Sequence, residues 1–126
     1  MKVDHITINV VSMEKSIAFY KDVLGLEELN EVDMGDHVLH YFRLDGDTKL
    51  ELIRYKDEQP EYHYAVKTKG LYRHFALLTE DVDGLYRKLK DHGTECLCEP
   101  GDVEKLHFRN ILIRDPNGVE IEFIQK

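Results

Sequence analysis

Two residue types with metal-binding chemistry recur at matching places in the two halves of the chain. His5 and Glu51 lie in the first half, and their counterparts, His74 and Glu122, lie in the second half. The histidines are 69 residues apart (74 − 5) and the glutamates 71 (122 − 51). Imidazole nitrogens and carboxylate oxygens are common ligands of divalent transition metals. The spacing therefore predicts a duplicated module whose two copies supply a site of two histidines and two carboxylates.

The surroundings of the two glutamates support this hypothesis. Glu51 lies between two leucines, and Glu122 lies between Ile121 and Phe123, in stretches typical of buried strands. Burying an unpaired carboxylate costs several kcal/mol, so each glutamate is expected to have a partner such as a metal ion. Any one of the four residues alone is equally compatible with an ordinary exposed strand position. It is their equivalent placement in a repeat that favours the metal site.

The remaining histidines have no counterpart in the repeat. They are therefore expected to be surface or pocket residues and not ligands. These five are His37, His40, His63, His92 and His107.

The periodicity of apolar residues predicts two copies of a βαβββ module, in residues 1–55 and 72–126. Ser12 is the expected N-cap of the first helix, and Gly25 and Gly93 are expected to end the first and second helices. The expected strands span residues 3–11, 27–32, 37–44 and 49–55 in the first copy and 73–79, 95–99, 108–114 and 119–125 in the second. Residues 56–71 are polar and tyrosine-rich and are the expected linker, with both modules in one structural domain.

Composition and net charge limit the classes of function that the chain can have. The chain has 126 residues, a net charge of −8 and a pI of about 5.3. This acidic balance argues against nucleic acid and against an anionic membrane surface as partners, since both require a basic footprint. No apolar run is long enough to span a bilayer, and the N-terminus lacks the apolar region of a signal peptide. A cytoplasmic protein that acts on a small molecule is therefore expected.

The two cysteines, Cys96 and Cys98, are also consistent with a cytoplasmic protein. A Cys-x-Cys pair in an extended strand is too close for an ordinary disulfide, and two thiolates do not complete a zinc site. We interpret them as reduced strand residues in a reducing compartment, with a redox pair as the alternative.

Three stretches of the sequence resemble the vicinal oxygen chelate superfamily, and the resemblance covers essentially the whole chain. They are Asp4-His5-Ile6-Thr7-Ile8-Asn9-Val10, Ser16-Ile17-Ala18-Phe19-Tyr20-Lys21-Asp22-Val23-Leu24-Gly25 and Asp115-Pro116-Asn117-Gly118-Val119-Glu120-Ile121-Glu122. The resemblance implies an α+β fold in which βαβββ modules form a curved mixed sheet around a metal ion.

Within the superfamily, the ligand pattern is similar to that of glyoxalase I, also called lactoylglutathione lyase. This resemblance implies that His5, Glu51, His74 and Glu122 bind a divalent metal. The ion would stabilise an enediolate formed by proton transfer on a thiol adduct of a 2-oxoaldehyde or a related vicinal-oxygen substrate. Glu122 is the implied base, and Glu51 serves the opposite face. The mixed nitrogen and oxygen ligands suit nickel, cobalt, zinc, manganese or iron, with nickel or zinc favoured.

Other members of the superfamily leave alternatives open. Asn9 and Tyr55 stand where glyoxalase I usually has an arginine and an asparagine, so the thiol carrier is left open. The alternatives are an Fe(II) extradiol-type dioxygenase, an isomerase similar to methylmalonyl-coenzyme A epimerase, and a non-catalytic small-molecule binding protein. Glyoxalase-like relatives also imply a homodimer, with His5 and Glu51 of one subunit facing His74 and Glu122 of its mate.

Overall fold

Each half of the chain folds around its own mixed β-sheet. The computed structural model describes residues 1–60, 67, 69–70 and 72–126, and it divides the chain into two compact units, Met1–Tyr62 and His63–Lys126. The α+β class expected from the sequence is confirmed. Half of the expected linker, including His63, lies outside the described residues, so the predicted module boundaries stay predictions.

The first unit has the predicted order of one strand, one helix and three strands. Its strands are β1 (His5–Asn9), β2 (Glu28–Asp33), β3 (His37–Asp45) and β4 (Thr48–Tyr55). The sheet order is β1-β4-β3-β2, with β1 parallel to β4 and the other pairs antiparallel. Period-two alternation places Ile8 in the core while His5, Thr7 and Asn9 point away from it. One face of this sheet is therefore left for polar side chains.

The helix of the first unit, α1, begins where the sequence predicts. Ser12 is its N-cap, and the Ser12 hydroxyl accepts a hydrogen bond from the Lys15 amide at 3.3 Å. The helix is α-helical over Met13–Ile17, but it continues as a π-helix over Ala18–Val23, which the apolar spacing does not predict. Gly25 follows the helix with a φ of 71°, a conformation that favours glycine.

The buried face of this helix covers the apolar side of the first sheet. Phe19, Tyr20 and Val23 are all buried, and the ring of Tyr20 lies 6.1 Å from the ring of Phe42 in β3. Leu50 and Leu52 of β4 are completely buried. Between them, Glu51 points to the opposite, polar face.

The second unit repeats this plan with one interrupted strand. Its elements are β5 (Phe75–Leu78), α2 (Val82–Asp91), β6 (Glu95–Cys96), β7 (Gly101–Val103), β8 (Phe108–Arg114) and β9 (Glu120–Gln125). The order is β5-β9-β8-β6, and β7 also pairs with β8. The strand predicted over residues 95–99 is present but shorter, because β6 ends at Cys96. The Leu97 amide still donates to the Leu112 carbonyl oxygen at 2.7 Å, and strand pairing with β8 resumes at Gly101, after Pro100, which has no amide hydrogen to donate.

Two further features bear on the predicted elements. Strand β5 is shorter than the predicted 73–79, so His74 directly precedes the strand. None of the helices in the described part of the chain has the length and apolar content needed to cross a membrane.

The turn before β9 is built around the side chain of Asp115, which is buried. Its Oδ1 accepts hydrogen bonds from the backbone amides of Asn117 at 2.8 Å and Val119 at 2.9 Å. Its Oδ2 accepts one from the Asn117 side chain at 2.9 Å. Gly118, with a φ of 83°, completes the turn. This network explains why the Asp-Pro-Asn-Gly sequence occurs directly before the strand that carries Glu122.

Replacing Asp115 by alanine is expected to lower the free energy of unfolding by about 2 kcal/mol, because backbone amides lose their acceptors in a buried place. Asp115→Asn keeps one acceptor oxygen and should lose less. Asp91→Ala, which removes an exposed carboxylate at the end of α2, serves as the control. Urea unfolding followed by circular dichroism measures all three changes. Equal stability of Asp115→Ala and the parent would contradict this account of the turn.

Candidate metal centre

His5 and Glu51 point to the same face of the first sheet. In the parallel pairing of β1 with β4, His5 is opposite Lys49 and Thr7 is opposite Glu51. The Nε2 atom of His5 lies 4.0 Å from Oε1 of Glu51. Glu51 is only 8% exposed, whereas His5 is exposed. The polar face of the first unit therefore offers one imidazole nitrogen next to one buried carboxylate oxygen.

A neighbouring carboxylate orients the imidazole of His5. Its Nδ1 lies 2.6 Å from Oδ2 of Asp4, and this hydrogen bond, together with the charge of Lys49, lowers the pKa of the Asp4 carboxyl group. When Nδ1 donates to Asp4, the Nε2 atom carries a lone pair on the side of Glu51. In this tautomer, the nitrogen lone pair and the carboxylate oxygen are both available as donors to a cation.

Two hydroxyl groups hold the carboxylate of Glu51. Thr7 donates a hydrogen bond to Oε1 at 3.0 Å, and the Tyr41 hydroxyl donates a short one to Oε2. The bond to ionised Glu51, with a smaller contribution from burial, raises the pKa of Tyr41 to about 12. Sequence reasoning did not identify Thr7 and Tyr41 as site residues. The only signal for Thr7 was its place on the same face of β1 as His5.

His74 and Glu122 form the corresponding pair in the second unit. The Nε2 atom of His74 lies 3.1 Å from Oε2 of Glu122, and Asn110 of β8 donates a hydrogen bond to Oε1 at 2.6 Å. The side chain of Glu122 is 15% exposed. The Nδ1 atom of His74 is buried and makes no hydrogen bond within the described residues. A neighbouring strand thus donates to Glu122 on one oxygen, through Asn110, whereas Glu51 is held on both oxygens, by Thr7 and Tyr41.

Glu120 shows why the neighbouring acid on β9 is not a candidate ligand. It lies on the same face as Glu122, but it is paired with Arg73 and also lies 3.5 Å from Arg114. Two guanidinium groups neutralise this buried carboxylate, so it has no need of a metal ion.

The donor types of each pair, one imidazole nitrogen and one carboxylate oxygen, suit a divalent metal ion. The two donor atoms are 3.1 Å apart in the second unit and 4.0 Å apart in the first. Within the described residues, no group of three or more histidine, cysteine or acidic side chains is gathered for a metal ion. A four-ligand site that combines the two pairs therefore stays a prediction.

Three of the other described histidines, His37, His40 and His92, contact carboxylate or carbonyl oxygens near them in sequence. His37 contacts Asp36, and the Nδ1 atom of His92 contacts the Lys88 carbonyl oxygen. His40 is buried, which the sequence did not indicate, with Nδ1 2.8 Å from Glu31 and Nε2 3.0 Å from Glu28. His107 has a φ of 56° and follows a short 3₁₀ turn. His63 lies outside the described residues.

The two cysteines are free thiols. Cys96 lies at the end of β6, and burial raises the pKa of its thiol. Cys98 lies beyond the strand and is exposed. A raised pKa keeps the Cys96 thiol protonated, which disfavours it as a nucleophile or metal ligand.

Comparison with protein families decides the classification. The model of the Glyoxalase/Bleomycin resistance protein/Dioxygenase superfamily matches residues 2–123. The chain belongs to this superfamily. The resemblance to vicinal oxygen chelate proteins inferred from the sequence is thereby confirmed, and with it the fold class.

Relatives in the superfamily are named for different activities. The chain is 31% identical to the uncharacterized protein YwbC of Bacillus subtilis, over 99% of this chain and 98% of that protein. It is 27% identical to a lactoylglutathione lyase of Neisseria meningitidis, over 100% and 91% of the two chains. It is 34% identical to a manganese-dependent 2,3-dihydroxybiphenyl 1,2-dioxygenase of Geobacillus genomosp. 3, covering 96% of this chain but 35% of that longer protein.

A solved structure in the superfamily agrees with the fold. The trypanothione-dependent glyoxalase I of Leishmania major superposes with a TM-score of 0.81 and 25% identity, over 99% of this chain and 86% of that one. The superfamily members that align with nearly the whole chain thus include lactoylglutathione lyases and also a dioxygenase. The reaction must be argued from the site itself.

Proposed function

We propose that this superfamily member is a metal-dependent lyase or isomerase of the glyoxalase I type. It would move a proton on a thiol adduct of a 2-oxoaldehyde or a related substrate with neighbouring oxygens. The observation that carries the proposal is the presence in both units of one imidazole nitrogen within 4.0 Å of one carboxylate oxygen. A four-ligand set favours this chemistry over that of a facial triad, in which one of these positions is not a ligand.

His5, Glu51, His74 and Glu122 would hold the ion, with nickel or zinc favoured. When bound, the ion supplies positive charge that stabilises the negative charge developing on the substrate oxygens. Asn110 occupies Oε1 of Glu122, so Oε2 would hold the ion and, once loosened from it, would accept the substrate proton. Glu51 is held on both oxygens by hydroxyl groups, and it would serve the opposite face of the substrate.

A homodimer is part of the proposal. One unit supplies two ligands, and completing the set requires a second unit from the same chain or from another. We propose the arrangement between chains, in which His5 and Glu51 of one subunit share an ion with His74 and Glu122 of the other.

A dioxygenase is the second candidate function, favoured by the 34% identity to the manganese-dependent enzyme. In a site of two histidines and one glutamate, Glu51 would not be a ligand. The two functions therefore differ in what Glu51 does and in whether oxygen is consumed.

Elemental analysis followed by turnover assays tests the proposal. The metal-free protein, supplied in turn with Ni²⁺, Co²⁺, Zn²⁺, Mn²⁺ or Fe²⁺, is expected to convert a methylglyoxal–thiol adduct with at least one of them. Glutathione and other thiols are compared because Asn9 replaces the usual arginine. Glu51→Ala is expected to abolish this turnover. Oxygen consumption with catechols that survives Glu51→Ala, without any lyase turnover, would establish the dioxygenase instead.

A further inference from the structure

The carboxylate of Glu51 is enclosed by its two neighbouring strands. Glu51 is directly opposite Thr7 on β1 and directly opposite Tyr41 on β3, and all three side chains point to the same face. Each neighbour presents a hydroxyl group, and the two hydroxyls bind different oxygens of the carboxylate, Oε1 and Oε2. The register of the sheet therefore gives Glu51 one donor from each side.

The position of the Tyr41 ring is itself supported. The ammonium group of Lys49 lies over the ring, 5.4 Å from its centre, and a cation on an aromatic face is an attractive contact. Lys49 is two residues before Glu51 and directly opposite His5. The ring is thus held between a lysine and the carboxylate to which it donates, with little freedom to turn its hydroxyl elsewhere.

We propose that Tyr41 is a positioning residue for the metal centre. Its hydroxyl holds Oε2 of Glu51, and this presents Oε1 to the Nε2 atom of His5, 4.0 Å away. Oε1 accepts one bond from Thr7, and since a carboxylate oxygen has room for two partners, one place on Oε1 is left for an ion. The inference rests on the proposed function, because it needs Glu51 to be a ligand.

A purely structural role for Tyr41 makes a different prediction. A hydroxyl that only satisfies a buried carboxylate stabilises the metal-free fold and leaves metal affinity unchanged once folding is complete. A hydroxyl that aims the ligand raises metal affinity in the folded protein, because partners of a ligating carboxylate fix its orientation. Metal affinity and metal-free stability, measured on the same variants, separate these roles.

The test uses Co²⁺ as the probe, with binding to the full chain followed by its visible absorption and by calorimetry. Tyr41→Phe keeps the ring under Lys49 and removes only the hydroxyl, and it is expected to weaken Co²⁺ binding roughly 10- to 100-fold. Thr7→Val should also weaken Co²⁺ binding, whereas Thr7→Ser, which keeps the hydroxyl, should bind Co²⁺ like the parent. Tyr86→Phe is the matched control, since it removes the same hydroxyl from a tyrosine on α2, in the second unit.

Glu51→Gln separates failure of this inference from failure of the proposed function. If Glu51→Gln weakens Co²⁺ binding but Tyr41→Phe binds like the parent, the positioning role of Tyr41 is overturned and the metal site stands. If Glu51→Gln also binds like the parent, the proposed ligand set is wrong, and the positioning role is wrong with it. Unfolding of the metal-free variants in urea identifies any variant that is not folded. If Tyr41→Phe is not folded, Co²⁺ binding by Thr7→Val decides whether a hydroxyl on Glu51 raises metal affinity.

Discussion

Glu122→Gln is expected to abolish turnover and to weaken divalent metal binding, with the fold intact. The substitution keeps the size of the side chain and its place on β9, but the neutral amide loses the charge that faces an ion and the oxygen that accepts a proton. Loss of a general base typically costs about 10²- to 10⁴-fold in rate. Asn110 donates to Oε1 of Glu122, and it can donate equally to an amide oxygen, so the local structure should persist.

His5→Ala provides an independent version of this result in the first unit. It removes an imidazole from an exposed position, so the expected loss is in metal binding and activity and not in stability. The measurements are metal content after dialysis, turnover with the added metal, and thermal unfolding of the metal-free protein. His92→Ala and Glu99→Gln, which change exposed residues away from both pairs, are the controls. If His5→Ala and Glu122→Gln both bind metal as tightly as the parent, the site is misplaced.

Mixing two inactive variants is expected to restore activity. His5→Ala damages the pair in the first unit, and His74→Ala damages the pair in the second. In a dimer with sites shared between chains, each mixed dimer has one site with both lesions and one intact site. After random exchange of subunits from an equal mixture, about a quarter of the parental activity should return.

The control for this experiment is a direct measurement of subunit exchange between the two variants. Mass spectrometry of differently tagged subunits shows whether mixed dimers form, and each variant measured alone sets the baseline. Verified exchange without recovery would show that each chain builds its own site. A monomer that retains full metal content would lead to the same conclusion.

Local features of the chain could be predicted because they depend on neighbours in sequence. The N-cap at Ser12 and the ends of the helices at Gly25 and Gly93 follow from backbone chemistry that acts within a few residues. Strand alternation correctly placed His5 on the polar face of β1 and Glu51 opposite the two buried leucines. The duplicated pattern also identified the two residue pairs, and each pair does meet within its own unit.

Other features required the tertiary structure because they depend on strand register and on packing. The contacts of Thr7 and Tyr41 with Glu51 arise only because β1 and β3 flank β4 in one particular register, which no local pattern specifies. The burial of His40 between two glutamates of β2 has the same origin. The sequence by itself thus predicted which residues are candidate metal ligands, and it determined on which face of each strand they lie. The tertiary structure decided which side chains contact them, because hydrogen bonds across a sheet join residues that are distant along the chain.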